Sequence, residues 1–308
     1  MSESARLNTC GRMFRQILLG LVLTLGISWA EPVSTPSAPP SQTTSEILWD
    51  NWDVPHIYAP DDASLFKAFG WAQMHNHGKL LLHLYALARG RGAEFFGPDD
   101  LASDRAVRLM GLYPLARDWY AQQTPEFRAN LDAFADGVNL YAKESPEKLD
   151  PATLKVLPVN GVDILAHTIR WMWHFQVDHS NIVPFLPNGE TPGSNGWAVA
   201  PSHSADGHAM LLANPHVPWD GERMFMEAHL NCPHYQAYGA AFPGSPILMI
   251  AFNENLGWTE TSNTFNPCTA YLLAKDGKGY RFEGRHFAFT QRNEKIKVLQ
   301  PNGNLKKE

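Results

Sequence analysis

Apolar residues recur every three to four positions through most of the first two-thirds of the chain, then alternate over short stretches in the last third. Leu65, Phe66, Phe69, Ala72 and Gln73, continued by Leu80, Leu81, Leu84 and Leu87, predict a helix behind the capping residues Asp61 and Asp62. The same spacing predicts helices over residues 125–143 and 161–174, the second with Asp163 in its first turn. Two short strands, 47–50 and 55–58, precede the first helix around a turn at 51–53. Residues 178–193 break the pattern with three prolines and two glycines, which predicts a surface loop where proteolysis is tolerated. Beyond Gly193 the runs at 197–200, 209–213, 223–230, 236–241 and 247–252 predict strands. A mainly helical part followed by a mainly β part makes the fold class α+β, without any repeat of fixed period.

The first residues stand apart from this pattern. Arg6, Arg12 and Arg15 precede an apolar run at 17–27, followed by Ser28-Trp29-Ala30. A positive start, a short apolar run and small residues around a cut after Ala30 predict a secretory signal over residues 1–30, starting at Met1 or Met13. A membrane anchor is the competing reading, but the run is short of the roughly 20 residues a bilayer span needs. The Pro/Ser/Thr-rich stretch 31–45 reads as a solvated leader, and order is expected from residue 46. Export to the periplasm or beyond is therefore expected, with no stable membrane anchor. Cys10 would leave with the signal, and the remaining Cys232 and Cys268 are read as unpaired.

Composition changes the picture little. The chain has 308 residues, 44% of them hydrophobic, with 10 Trp and 16 Phe, enough for a sizeable core. The formal net charge of −6 comes with no basic stripe, which argues against a nucleic-acid partner.

Candidate chemistry sits where the helical pattern gives way to the β pattern, at Gly193-Ser194-Asn195-Gly196-Trp197. The flanks do not make G-x-S-x-G, and Ser194 alone reads as an ordinary loop serine. The segments downstream of it change that reading: Leu211-Leu212-Ala213-Asn214-Pro215-His216, then Pro243-Gly244-Ser245-Pro246, Ala251-Phe252-Asn253 and Leu256-Gly257-Trp258-Thr259. With Val54-Pro55-His56-Ile57, Phe69-Gly70-Trp71-Ala72-Gln73, Ala88-Arg89-Gly90-Arg91 and Asp136-Gly137-Val138-Asn139 upstream, the ordered set resembles the penicillin acylase family of N-terminal-nucleophile hydrolases. Within it, the chain looks closest to the acyl-homoserine-lactone acylase branch.

The resemblance implies a precursor that cuts its own Gly193–Ser194 bond. A mainly helical α chain (46–177), a spacer (178–193) and a β chain beginning at Ser194 (194–308) would result, within an αββα sandwich. Ser194 would be the nucleophile, and its freed amine the base. An α-amino group has a reference pKa of about 7.7–8.0, near the operating pH at which a general base works best. A lone histidine in a strand-to-loop turn reads as structural, but with the segment Leu211-Leu212-Ala213-Asn214-Pro215-His216 intact the resemblance implies that His216 orients the serine. The backbone N–H of Asn263 would be an oxyanion donor. Val217 would stand at the mouth of an acyl pocket, whereas core packing is the expected role of Phe225, Phe242, Phe252 and Trp258.

No cofactor is called for, and no metal is expected. His75-Asn76-His77 lacks a nuclease context, no Cys/His ligand spacing supports zinc, and Asn266-Pro267-Cys268-Thr269 lacks the carboxylates calcium needs. The expected substrate is a small acyl amide, such as an N-acyl-homoserine lactone or a penicillin-type amide. The resemblance also implies a β chain continuing well beyond the strand-turn segment at 295–308, with an asparagine as second oxyanion donor. The sandwich is therefore expected to be incomplete. The alternative reading is an inactive fragment, or one half of a split enzyme, that binds an acyl ligand or a complementary chain.

Overall fold

A computed structural model describes residues 43–178, 193–261 and 271–308. The expected signal, the leader, most of the spacer, Asn263 and Cys268 lie outside the described residues.

β1 (Glu46–Trp49) and β2 (Pro55–Tyr58) form the expected antiparallel pair. α1 (Asp62–Ala88) starts at Asp61, whose carboxylate accepts the Ser64 N–H at 2.8 Å. Its buried residues, from Leu65 and Phe69 to Leu82 and Tyr85, include neighbours in sequence as well as residues a turn apart, so α1 is a central helix. The short α2 (Gly92–Phe96) follows, then α3 (Leu101–Met110) and α4 (Leu112–Gln122). The apolar spacing had not revealed α3 and α4. Most of their residues face solvent, and Gly111 between them takes the left-handed conformation (φ 66°) that ends one helix and begins the next. α5 (Pro125–Glu144) starts at Thr124, the short α6 (Pro151–Leu154) at Asp150, and α7 (Gly161–Asp178) runs through the residue where a loop was expected to begin.

α1 and α5 approach closely because each offers a glycine at the crossing. A methyl group on Gly70 would strike the Phe134 carbonyl, and one on Gly137 the Lys67 carbonyl. α7 is tied to the end of α1 by a buried ion pair, with Arg89 Nε and Nη2 each 2.6 Å from the two oxygens of Asp163. Arg89 also donates to the carbonyls of Val156 and Pro158, and Tyr113 to Asp163. The buried charges are thus hydrogen-bonded as well as paired, as burial requires. Burial beside Asp163 pushes the Tyr113 hydroxyl up to about 12.

The remaining strands are β3 (Ser194–Val199), β4 (Met210–Pro215), β5 (Met226–Cys232), β6 (Tyr235–Ala241), β7 (Leu248–Phe252) and β8 (Gly257–Trp258). β1, β2, β5, β6, β7 and β8 make one six-stranded sheet in that order, antiparallel except for the β2–β5 pair. Met226, Ala228, Leu230 and Cys232 alternate inward along β5 and join Leu65, Phe69 and Leu82 of α1 in the main core. Cys232 is a free thiol, pushed up to about 11 chiefly by burial and by its bond to Asp62.

Three further strands, β9 (Ala274–Asp276), β10 (Gly279–Phe282) and β11 (Arg285–Ala288), pair among themselves. The hairpin of β12 (Lys297–Leu299) and β13 (Leu305–Lys307) packs Val298, with Ile296, against Ala93 of α2. β3 and β4 pair only with each other among the described residues, Ser194 facing Pro215.

Candidate active site

Ser194 is the first residue of β3, and its register brings the end of β4 and His216 beside the Gly193–Ser194 peptide. The Gly193 carbonyl accepts two hydrogen bonds, from the His216 backbone N–H at 3.1 Å and from Ser194 Oγ at 2.6 Å. The His216 ring lies against Gly193, with Nδ1 3.2 Å from the position a Cβ would take there, and Nε2 is 3.1 Å from Asn195 Nδ2. His216 therefore meets Ser194 through the preceding carbonyl, not through a side-chain bond to its hydroxyl. From the other side Thr261 donates its hydroxyl to the Ser194 carbonyl at 2.9 Å.

Ser194 borders a cavity of about 350 Å³, within the range of small-ligand sites. Its walls come from both sides of residue 193. α7 contributes His167, Thr168, Trp171 and Met172, which recur at the i, i+4 interval of one helix face. The β segment contributes Val217, Phe225, Phe242 and the strand around Met249. Phe242 stacks on Phe225 and meets Trp171 at a tilt, with ring centres 4.3 Å from each. Glu260 stands at the rim, its carboxyl raised above the usual range by burial.

Residues 44–307 match the family model for penicillin amidase. The chain belongs to the penicillin amidase family. It is 29% identical to acyl-homoserine lactone acylase PvdQ of Pseudomonas savastanoi pv. phaseolicola, over 85% of this chain and 39% of that protein. It is 28% identical to PvdQ of Pseudomonas fluorescens, over 96% of this chain and 43% of the relative. Aculeacin-A acylase of Actinoplanes utahensis is 26% identical over 76% and 36%. The chain spans about two fifths of the length of the curated relatives it matches.

Within this penicillin amidase frame, Gly193, Ser194 and His216 come together, and Ser194 and Val217 line the cavity. Core packing had been expected for Phe225, Phe242, Phe252 and Trp258: Phe242 is buried as expected and lines the cavity with Phe225, Phe252 is exposed, and Trp258 packs on the main core. The α7 face, Thr261 and Glu260 were missed. A helix pattern shows which face is buried, not whether protein or a cavity covers it. Among the described residues no cluster of three or more His, Cys, Asp or Glu could hold a metal ion, and no helix is long and apolar enough to cross a membrane.

Proposed function

We propose that this chain is the autoprocessing part of an exported acylase that cuts acyl amides, N-acyl-homoserine lactones first and penicillin- or lipopeptide-type amides second. The observation that carries the reading is the double hydrogen bond on the Gly193 carbonyl, at the edge of an apolar cavity. A backbone N–H aimed at a carbonyl under attack stabilises the negative charge that develops on its oxygen. Ser194 Oγ attacks the Gly193 carbonyl carbon, the C–N bond breaks, the Oγ proton passes to the departing Ser194 nitrogen, and the acyl group is left on the oxygen as an ester. Water then hydrolyses that ester, leaving a Gly193 carboxylate and a free Ser194 amine.

The freed amine serves as base for the same hydroxyl in the second reaction. It takes the Oγ proton as Oγ attacks the substrate carbonyl and hands it to the departing amine. Water releases the acyl group from the resulting ester. The acyl chain lies in the cavity between α7 and Phe242, with Val217 at its mouth. Asn263 supplies a backbone donor for the substrate oxyanion, and an N-terminal-nucleophile αββα sandwich is the architecture this chemistry belongs to. Names of the relatives, all acylases, support the reaction class.

Mass spectrometry of material exported by cells should find a fragment beginning Ser-Asn-Gly-Trp, and Ser194→Ala should abolish both that fragment and amide turnover. An uncut chain whose turnover survives Ser194→Ala would sink the proposal. The β3–β4 hairpin favours a second reading, in which this chain works with further polypeptide. Trp197, Met210 and Leu212 are all exposed on it, an apolar surface suited to being covered. Turnover that appears only when a relative's later β-chain segment is co-expressed would favour that reading.

A further inference from the structure

His167 lies one helical turn before Trp171 in the cavity wall and is only 1% exposed. Its Nε2 is 2.9 Å from the Pro243 carbonyl oxygen. A carbonyl can only accept, so Nε2 carries the proton and Nδ1 holds the lone pair. Burial, with the Arg170 guanidinium nearby, holds the imidazole down at about 4, so the ring is neutral at pH 7.

The Nε2–Cδ2 side of the ring faces Gly244, where an added Cβ would lie 3.2 and 3.0 Å from these two atoms. Nδ1 sits on the opposite edge from Cδ2 and has no hydrogen-bond partner among the described residues. The neighbouring Thr168 hydroxyl is spent on the Ile164 carbonyl at 3.1 Å, and Trp171, Met172 and Phe242 bring apolar surface. An unpaired buried acceptor is uncommon in a folded protein and marks a place where a ligand donor is rewarded.

We infer that His167 Nδ1 selects the acyl group, accepting a hydrogen bond from a hydroxyl on the chain, so that the cavity takes hydroxylated acyl groups in preference to plain ones. This rests on the cavity being the acyl site of the proposed acylase. Recognition of this kind discriminates strongly, because a ligand without the hydroxyl leaves the buried acceptor unpaired.

The test measures binding, separately from turnover. The full chain is titrated with dodecanoic acid and with its hydroxylated positional isomers, in wild type and in His167→Gln. Glutamine can still donate to Pro243 from about the position of Nε2, but offers no lone pair at Nδ1. At least one hydroxylated isomer should bind wild type about 10-fold more tightly than dodecanoic acid, and that ratio should fall to about one in His167→Gln. A ¹⁵N spectrum of wild type provides a check that needs no variant: the His167 Nδ1 signal should move with the preferred isomer and stay put with dodecanoic acid. Equal binding of all the acids, no binding of any, or a preference that survives His167→Gln would overturn the inference. Wild type that cleaves acyl amides but binds every acid equally refutes the selectivity alone. Selective binding without turnover refutes only the catalytic reading.

Discussion

β5–β6 and β3–β4 are both antiparallel pairs of six- or seven-residue strands, yet they are stabilised differently. Along β5 every second residue is buried beneath α1, and β6 continues the same inward row. Along β3 and β4 no residue is fully buried, and the pair has no third strand among the described residues. An isolated two-stranded hairpin is marginal in water. The β3–β4 pair is helped by specific ties instead: the Gly193 carbonyl bonds, Thr261 on Ser194, and the side chain of Thr259 beside Gly196. Burial of apolar rows holds the body together, whereas the strand bearing the candidate nucleophile depends on single local contacts. Substitutions should therefore separate cleanly into those that unfold the molecule and those that silence it.

The sharpest test of that separation is Ser194→Ala, expected to lower amide turnover by at least about 10³-fold. Its unfolding free energy in urea should stay within about 0.5 kcal/mol of the uncut wild-type precursor, because no core contact is lost. A large loss of stability would mean that the hairpin belongs to the cooperative core. Gly137→Ala does the converse. A methyl driven into the Lys67 carbonyl must part α1 from α5, and about 3 kcal/mol or more should be lost on urea unfolding.

His167 tests the seam between the two regions through pH. Its folded-state pKa of about 4 lies below the ordinary 6.5, so the unfolded chain binds more protons between these values and stability falls as the pH drops through that window. The loss should be on the order of 3 kcal/mol, and His167→Gln should lack that part of the slope in urea unfolding followed from pH 7 to 4. The smallest effect is expected for His216→Ala. The variant keeps the backbone donor on the Gly193 carbonyl and loses the ring, so self-cleavage followed on gels should slow by about 10-fold with little change in stability.

Much of this organisation was legible in the sequence, because periodicity reports burial directly. α1, α5, α7 and the strands of the main sheet stand close to their expected positions, and Asp61 caps α1 as expected. α3 and α4 escaped because their narrow apolar stripes face a small satellite core. Ser194 and His216 were singled out through ordered motifs, and the pairing of Ser194 with Pro215 brings His216 against Gly193. The α7 wall of the cavity was beyond such reading. Its place is fixed by contacts between distant positions, such as His167 with Pro243, that no local window contains.

The loop Phe242–Ser245 is gripped from the helical side by three buried side chains. Gln73 bonds both Gly244 N and Ser245 O at 2.8 Å, Tyr85 bonds Gly244 O at 2.9 Å, and His167 bonds Pro243 O. Together with the β2–β5 pairing, this grip spans the Gly193–Ser194 bond. A nicked molecule would thus hold its two pieces together, but the peptide that once joined them could no longer guide their reunion. Recovery from denaturation would become a bimolecular search, dependent on protein concentration, where the uncut chain refolds alone.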